Sequence, residues 1–454
     1  MAVNGNDNVS FRGQNEEDGI SNLHVTKAFA EFAANTKFES LPQQAIESLK
    51  IFILDYLRNG IRADSYCKSS APIFKGMEAF CGNSSSGEAT IFNKGHGYSP
   101  QFAGFMNATY AHSFDFDDTH QAASLHPGVT TFFAALAQAE VSGSDGKQLL
   151  TAIAVGYEIT CRLGMALGRG AYTRGFHSTS AAGIFGAVAT IGNLRGTDAP
   201  TMESAFGVAI SEASGSMQYL ENGAWNNPGL VVHNAFMCLA FAEAGVLSAE
   251  KPIEGKFGLL NGYTAKSSPA GLIEGLGQQL TFIDTAVKPY PGCRATHGAI
   301  DLAAKIRLSK TLPNNKPAGV KRLTIGVAAE VYALIGEAVE NKIHPKNMVD
   351  AQFSVYYAFA VASLYGNEKG MGVFDYLTDP EVSNLLDLIT VIPDNKINGA
   401  AAWLEVEWSD STKTKDQIHY SRVTGEPSNP VTFEIAKRKF KQLVEPIYVI
   451  ERVN

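Results

Sequence analysis

The chain has 454 residues, which is long for one hydrophobic core and predicts at least two domains. Its formal net charge of -8 argues against a nucleic-acid partner and against binding to an anionic membrane, because both attract basic surfaces. The five cysteines are scattered and odd in number, which is typical of reduced thiols inside a cell and excludes a disulfide framework.

The N-terminal residues 1–22 are polar and acidic, without an apolar stretch. We expect a disordered tail there, since neither a secretory signal nor a transit peptide has this composition. No uninterrupted apolar run reaches the ~18 residues that a membrane span needs. A cytoplasmic protein is therefore expected.

Helical periodicity begins soon after this tail. In the segment 42–57, apolar residues recur at three- and four-residue intervals, with Pro42 near its start and Gly60 just past its end. This spacing and punctuation are typical of a helix. The same pattern predicts helices over residues 102–112, 130–141, 146–167, 178–194, 202–218 and 232–249. They are rich in Ala, Gly and Ser, so they can approach one another closely. No convincing strand pattern precedes residue 280, which predicts an all-helical first domain.

The pattern changes in the second part of the chain. Residues 321–332 are apolar and β-branched enough for a strand, and residues 403–408 alternate between apolar and acidic. The turn-like run 409–411 and a second candidate strand over 417–423 complete a predicted hairpin. Predicted helices accompany it over residues 296–308, 349–365, 379–389 and 430–450. This part is therefore expected to be α+β.

The densest polar cluster runs from His112 to His120 and is followed by His126-Pro127-Gly128. It holds three carboxylates and three imidazoles, which are unfavourable to bury unless they pair, bind a ligand or react. The residues alone leave three interpretations open. They are an Asp-rich cap and turn, a metal site whose spacing matches no strong ligand pattern, and an acid–base site.

A second cluster runs from Lys288 to His297. Two prolines and a glycine constrain this loop, which enters a helix predicted to begin near Thr296. A helix N-terminus with Lys288 and Arg294 beside it suits the binding of a carboxylate. The alternative is a rigid interdomain loop whose cations are merely solvated.

These clusters belong to a set of five motifs spread over the chain. The set comprises His112–Thr119 with His126-Pro127, Gly156-Tyr157-Glu158 with Arg162, Gly175–Thr179, Lys288–His297, and Asp350–Ser354 with Tyr357. Together they resemble the 2-methylcitrate dehydratase (MmgE/PrpD) family, and the resemblance runs from about residue 25 to the C-terminus. Members include 2-methylcitrate dehydratase, cis-aconitate decarboxylase and iminodisuccinate epimerase. Their shared chemistry is proton transfer at a carbon beside a carboxylate, without a redox cofactor or an obligatory metal.

The resemblance implies a mainly α fold with an α+β lid. A helical domain would form from both chain ends, residues 23–270 and 428–454, and the lid would be the inserted segment 271–427. The active site would lie in the cleft between them, and a homodimer is expected because family members are usually dimeric. The implied catalytic residues are Asp115, Thr119, His126 and His177, and the implied substrate-binding residues are Lys288, Tyr290, Arg294 and His297.

One family motif is broken. Where many members continue T-K-R-L-H-P-G-W-A-A-H, this chain reads Asn226-Asn227-Pro228-Gly229 and then Leu230-Val231-Val232. Asn227 replaces the lysine, and about three residues are missing. Because a buried tricarboxylate needs matching cations, the loss of the lysine favours a less charged substrate. The apolar residues 230–232 are expected to add apolar wall to the active site, which favours a bulkier substrate.

The leading hypothesis is a cofactor-independent lyase or isomerase acting on a carboxylated small molecule. His126 would be the general acid/base, Asp115 would orient it or share its proton, and Lys288 with Arg294 would hold the carboxylate. One alternative is a repurposed secondary-metabolism cyclase, such as a pericyclic [4+2] catalyst, which needs shape and few hydrogen bonds. Another is a catalytically silent dimeric binding protein, although a scaffold has no use for the Asp/His cluster.

Overall fold

The structure is a computed structural model of the chain. It describes residues 23–67, 70–81, 87–221, 228–269, 271–309, 319–419 and 422–448. The expected tail over residues 1–22 lies outside these ranges. Within them the fold is mainly α with a smaller α+β part, which confirms the predicted fold class. The domain boundaries at residues 270 and 428 stay a prediction.

Helices form most of the first part of the chain. They are α1 (Val25–Asn35), α2 (Gln43–Tyr66), α3 (Ser70–Cys81), α4 (Pro100–His112), α5 (Pro127–Ser142), α6 (Gly146–Thr173), α7 (Ser178–Arg195), α8 (Ala199–Ala209), α9 (Gly229–Glu243) and α10 (Leu259–Gly262). Their small residues do allow close packing. A Cβ atom on Gly156 of α6 would lie 2.9 Å from the carbonyl oxygen of Gly186 on α7, nearer than packing permits.

The long helix α6 is the one described helix whose length and apolar composition would suffice to cross a membrane. In this protein 83% of the relevant window is buried inside the fold, as in a core helix. Its Arg162 is buried, pairs with Glu158 and donates hydrogen bonds to the carbonyls of Gly271, Leu272, Glu274 and Gln279. These hydrogen bonds hold residues 271–279, the segment that leads towards Lys288, against α6.

The expectation of an all-helical first part was wrong in one respect. A hairpin of β1 (Ala89–Ile91) and β2 (Gly95–Tyr98) precedes α4, and β3 (Thr119–His120) pairs with β4 (Thr285–Ala286). These strands have two to four residues, which is too short for a period-two pattern to be visible. The predicted helix over 202–218 ends at Ala209, followed by a 3₁₀ turn, Ile210–Glu212.

The second part contains a four-stranded sheet in the order β6-β5-β7-β8, with β5 and β6 parallel and the other pairs antiparallel. Its strands are β5 (Val320–Ala328), β6 (Ile389–Asp394), β7 (Ala402–Trp408) and β8 (Lys413–Ile418). The helices are α11 (His297–Ser309), α12 (Ala329–Ile335), α13 (Glu340–Ile343), α14 (Met348–Gln352), α15 (Val355–Tyr365), α16 (Pro380–Leu386) and α17 (Phe433–Val444). Helix α17 packs against α2 of the first part.

Several predicted bounds in this part needed correction. The hairpin is present, but its second strand is Lys413–Ile418 rather than 417–423, because an exposed edge strand shows no apolar pattern. The strand predicted over 321–332 ends at Ala328, where α12 begins. The helix predicted over 349–365 is interrupted at Ser354, whose side chain caps α15 by accepting a hydrogen bond from the Tyr357 amide.

Two hydrophobic cores meet at the polar cluster. One forms among the helices of the first part, and the other surrounds the sheet and includes Phe114 and Phe116. These rings anchor the loop after α4, while the carboxylates of Asp115 and Asp117 contact histidine side chains. The alternation of aromatic and acidic residues in this loop therefore places two carboxylates between the cores.

Candidate active site

A cavity of about 920 Å³ lies between the two parts of the molecule. Four histidines line it, and three of them lie at helix ends, whereas His120 belongs to β3. His112 is the last residue of α4, and His126 and His177 are the residues that precede the first turns of α5 and α7. The His112 and His126 rings meet edge to face at 4.9 Å, and the His112 and His177 ring centres are 6.4 Å apart.

Asp117 joins two of these rings. Its Oδ2 atom lies 2.9 Å from Nδ1 of His112, a hydrogen-bond distance, and 3.2 Å from Nδ1 of His126. The second contact is close but lacks hydrogen-bond geometry, and Oδ1 of Asp117 has no hydrogen-bond partner. Asp117 is fully buried. A buried carboxylate between two imidazoles favours their protonated forms.

Asp115 faces the other nitrogen of His126, with 3.5 Å between Oδ1 and Nε2. The ammonium group of Lys288 pairs with the same carboxylate and donates to the Asp115 carbonyl at 2.8 Å. Asp115 adopts a left-handed backbone conformation with φ 47°. Such a conformation in a non-glycine residue is strained, and functional sites often contain this strain.

The pKa values of this cluster are driven apart. Burial disfavours charge on His112, but the attraction of Asp117 and its hydrogen bond outweigh burial and raise the pKa of His112. Burial opposes charge on Asp117 too, yet His112 and His126 hold its pKa well below the usual range. Burial, followed by repulsion from His112 and His126, lowers the pKa of His177 to about 3. His177 is therefore neutral at physiological pH.

A second carboxylate lies behind Asp117. Asp118 accepts hydrogen bonds of 2.6 Å from the hydroxyls of Tyr56 and Tyr157. Burial, opposed by these hydrogen bonds and reinforced by Asp117, raises the pKa of Asp118 to about 7. Because Asp118 is close to half protonated at neutral pH, Asp117 retains most of the negative charge. Neighbouring acids with separated pKa values are typical of acid–base sites.

The structure brings together six of the eight residues implied by the resemblance. Those lining the cavity are Asp115, Thr119, His126, His177, Lys288 and Arg294. Tyr290 and His297 lie behind the wall. The Tyr290 hydroxyl donates to Asp301 at 2.6 Å, and His297 Nδ1 lies 2.8 Å from Nη1 of Arg294. Both side chains therefore support the loop rather than face the cavity.

Arg294 is already paired. Its guanidinium group binds the buried Glu426 carboxylate, with Nε at 2.8 Å from Oε1, and donates to the Thr424 carbonyl at 3.0 Å. Lys288 likewise pairs with Asp115. Both expected carboxylate-binding cations thus have carboxylate partners within the protein. A multiply charged substrate would have to compete with these partners.

Several contributors were absent from the predicted site. His112 and Asp117 belong to the predicted cluster, and the five-residue interval between them on a helix-to-loop run was the available signal. Tyr56 and Glu426 gave no signal, because each lies more than 60 residues from its partner. Gln352 bridges the two parts by donating to the Ser113 carbonyl at 3.1 Å.

The second part of the chain contributes an apolar patch to the cavity lining, beside charged residues such as Glu330, Lys346 and Asp375. The apolar patch includes Val331, Leu334, Met348, Val349, Phe353, Phe374 and Leu377. The expected contribution from residues 230–232 is not found. Val231 and Val232 are buried in the core of the first part, and Leu230 is half exposed outside the cavity. Asn226 and Asn227 lie outside the described residues.

The cluster also offers metal-ligand atoms. His112, Asp117 and His126 present one donor each, all within 4.8 Å of one another. Two imidazoles and a carboxylate form a donor set that divalent transition metals accept, provided that the imidazoles are neutral. The resemblance implies no obligatory metal, and that expectation stays a prediction.

We predict a pH-dependent stability contribution from His177. The unfolded chain binds a proton below pH ~6.5, whereas folded His177, whose pKa is about 3, does not. Stability therefore falls as the pH drops below 6.5, by about 2 kcal/mol at pH 5. Urea unfolding measures the free energy of unfolding at pH 7 and at pH 5. Between these two values, His177→Asn should lose about 2 kcal/mol less of this free energy than the wild type does. An equal loss would contradict the assignment, and His96→Asn, at an exposed site, is the matched control.

Comparison with known proteins agrees with this geometry. The MmgE/PrpD N-terminal domain matches residues 27–271, and the MmgE/PrpD C-terminal domain matches residues 290–454. The chain therefore belongs to the MmgE/PrpD family, which confirms the resemblance inferred from its motifs.

Its curated relatives are similar over most of their length. The chain is 23% identical to the cis-aconitate decarboxylase-like protein oryM of Aspergillus oryzae, covering 96% of this chain and 94% of the relative. It is 24% identical to cis-aconitate decarboxylase of Aspergillus terreus, covering 90% and 88%. It is 28% identical to human cis-aconitate decarboxylase, covering 82% and 77%.

Proposed function

We propose that this protein is a lyase or isomerase that transfers a proton at a carbon beside a carboxylate of a small molecule. The observation that carries the proposal is the contact of His126 with both Asp115 and Asp117 at the wall of a large cavity. An imidazole between two carboxylates can accept and return a proton near neutral pH. The decarboxylase activity named for several relatives is of the same chemical class.

Each member of the cluster has a separate task in this proposal. His126 exchanges the proton with the substrate carbon. Asp117, kept ionised by His112, stabilises the imidazolium form of His126, as a buried anion does. Asp115 orients the Nε2 side of the ring, and Lys288 balances the charge of Asp115 and faces the substrate carboxylate.

We further propose a substrate that is bulkier and less charged than 2-methylcitrate or cis-aconitate. The cavity, at about 920 Å³, lies near the upper end of the ~300–1,000 Å³ typical of ligand sites. Lys288 and Arg294 are already paired with carboxylates, so a tricarboxylate would depend on the remaining described lining cations, Arg169 and Lys346, for its neutralisation. The apolar patch suits a hydrocarbon body, such as that of an alkylated acid or a terpenoid, at roughly 25 cal/mol per Å² buried.

We predict negligible turnover of both 2-methylcitrate and cis-aconitate, since both supply little apolar surface and bring about three negative charges into a site where Lys288 and Arg294 are already paired. Steady-state assays of decarboxylation and dehydration at millimolar substrate measure this. Turnover near ~1 s⁻¹ or above, ordinary for a native substrate, would contradict the substrate proposal while leaving proton transfer itself intact.

The substrate can be found without presupposing it. Untargeted metabolite profiles of cells with and without the gene should differ in a carboxylated compound that accumulates when the gene is absent. The paired product should differ from it by loss of carbon dioxide, by loss of water, or by rearrangement at constant mass. An accumulating compound without a carboxylate would overturn the proposal.

We propose that the protein is a homodimer that associates through its helical part. Phe80 is 75% exposed, and it packs beside Phe102 and His233, with Leu230 one turn away on α9. Exposed apolar clusters of this kind commonly mark protein interfaces. Light scattering at micromolar concentration should give twice the chain mass, and Phe80→Asp should shift the mass towards the monomer. A monomeric wild type would refute this proposal.

A further inference from the structure

A second, smaller cavity of about 160 Å³ lies behind the loop that carries Lys288. Residues Pro289 and Tyr290 of this loop line the small cavity, whereas Lys288 and Arg294 line the large one. The loop is therefore a shared wall. The small cavity has room for a few water molecules or one compact polyatomic ion, since water occupies about 30 Å³ per molecule in the liquid.

Cations outnumber carboxylates among the described lining residues of the small cavity. Arg58 comes from α2, and Arg438 and Lys439 come from α17, while Glu368 is the one carboxylate among the described lining residues. The amide of Asn367 and the hydroxyl of Tyr290, which are hydrogen-bonded to each other at 2.8 Å, add neutral polar groups. A concave surface with this excess of positive charge attracts anions.

Two of these cations hold the backbone of the active-site loop. Arg58 is buried against the Phe116 ring at 4.2 Å, pairs with Asp55 and donates to the Lys288 carbonyl at 3.3 Å. The ammonium group of Lys439 donates to the Pro289 carbonyl at 2.9 Å. Consecutive carbonyls of the loop are thus bound by cations of the small cavity, which links this cavity mechanically to Lys288.

The charge of Lys439 depends on its surroundings. Burial and then the repulsion of Arg58 lower its pKa to about 7, Asp55 and Glu368 act in the opposite direction, and Arg438 adds repulsion. At neutral pH this ammonium group is therefore only partly protonated. A bound anion would favour its charged form, so anion binding near pH 7 would be accompanied by proton uptake.

We propose that the small cavity is a binding site for a phosphate-class oxyanion. Arginine and lysine together suit a compact dianion, because the guanidinium fork binds two oxygens and the ammonium supplies a point charge. The bound anion competes with the Lys288 and Pro289 carbonyls for Arg58 and Lys439. Occupancy therefore changes how firmly the Lys288 loop is held, which makes the site regulatory. This inference does not depend on the identity of the substrate.

Calorimetric titration of the full-length protein with inorganic phosphate at pH 7 tests the site. Binding should be saturable, and titrations in two buffers of different ionisation enthalpy should show more proton uptake, or less release, in the wild type than in Lys439→Met, where only phosphate itself exchanges a proton. Arg438→Gln and Lys439→Met should each weaken binding at least ~10-fold, the effect of losing ~1.4 kcal/mol. Acetate, a monoanion, should bind at least ~10-fold more weakly than phosphate in the wild type.

Matched controls separate this site from general attraction. Lys437→Gln removes an exposed cation from the same helix but outside the cavity, and should leave binding unchanged. Arg169→Gln alters the large cavity and should also have no effect. The proposal is overturned by an absence of saturable binding up to millimolar phosphate, by equal weakening in Lys437→Gln, or by loss of binding in Arg169→Gln instead of Arg438→Gln.

Discussion

His126→Ala is expected to lower turnover of the native substrate at least ~10²-fold, which is the usual contribution of a general acid/base. His126 lies against Asp115 on one side and Asp117 on the other, at the wall of the large cavity. Alanine removes the proton-carrying group and leaves two carboxylates facing each other. Folding should persist because the His126 amide hydrogen bond to the Thr179 hydroxyl is a backbone contact that alanine retains.

The measurement is steady-state turnover of the compound identified by metabolite profiling, with circular dichroism and thermal unfolding to establish the fold. His96→Ala, which removes an exposed imidazole from the β1–β2 hairpin, is the matched control and should keep full activity. Unaltered turnover in His126→Ala would sink the acid–base assignment. It would favour a cyclase that works by shape, whereas a wild type without turnover of any compound would favour a binding protein.

Lys288→Met is expected to destabilise the fold by about 3 kcal/mol and to abolish most activity. The Lys288 side chain is 1% exposed and its partner Asp115 is 11% exposed, so the substitution leaves a carboxylate charge without its buried partner. Removing one member of a buried ion pair typically destabilises by 3–5 kcal/mol. We expect a loss at the lower end of this range, because Asp115 keeps some contact with solvent and with His126.

Urea unfolding with a double-mutant cycle measures this coupling. Asp115→Asn combined with Lys288→Met removes both charges, and should recover part of the stability lost in Lys288→Met alone. The matched control is Lys321→Met, which breaks an exposed pair with Glu407 and should change stability by no more than about 1 kcal/mol. If the free energy of unfolding of Lys288→Met lies within about 1 kcal/mol of the wild-type value, as for an exposed pair, the ion pair with Asp115 does not stabilise the fold as argued.

The sequence predicted those parts of the molecule whose signals are local. Helix α2 begins beside Pro42 as predicted, but its predicted end before Gly60 was wrong, because the helix continues through Gly60 to Tyr66. Strand β7 shows the alternation expected of a strand with one buried face. Strand β8 was misplaced and β6 was missed. The first is mostly exposed, and the second begins at Ile389, directly after the short helix α16. In both cases tertiary pairing determines the strand, and local pattern does not.

The candidate active site also contains features with a signal in the sequence and features that only tertiary contacts determine. The motifs placed His126, Asp115 and Lys288 in one cavity because family resemblance carries long-range information that periodicity lacks. Pairing within the site was not predictable. The Glu426 carboxylate that neutralises Arg294 lies 132 residues away along the chain, and no spacing rule connects two such residues. The pairing changes the interpretation of Arg294, which now supports the loop as well as lining the cavity.

The central claim is that this site moves a proton between solvent and a carbon beside a carboxylate. Mass spectrometry of the native reaction run in deuterium oxide, paired with a substrate deuterated at that carbon, tests it most directly. We predict exchange at this carbon: deuterium enters the product from solvent or leaves the labelled substrate for water, and His126→Ala abolishes it. A product that keeps every carbon-bound hydrogen of the substrate and gains no deuterium from solvent would contradict proton transfer and would indicate a pericyclic reaction instead.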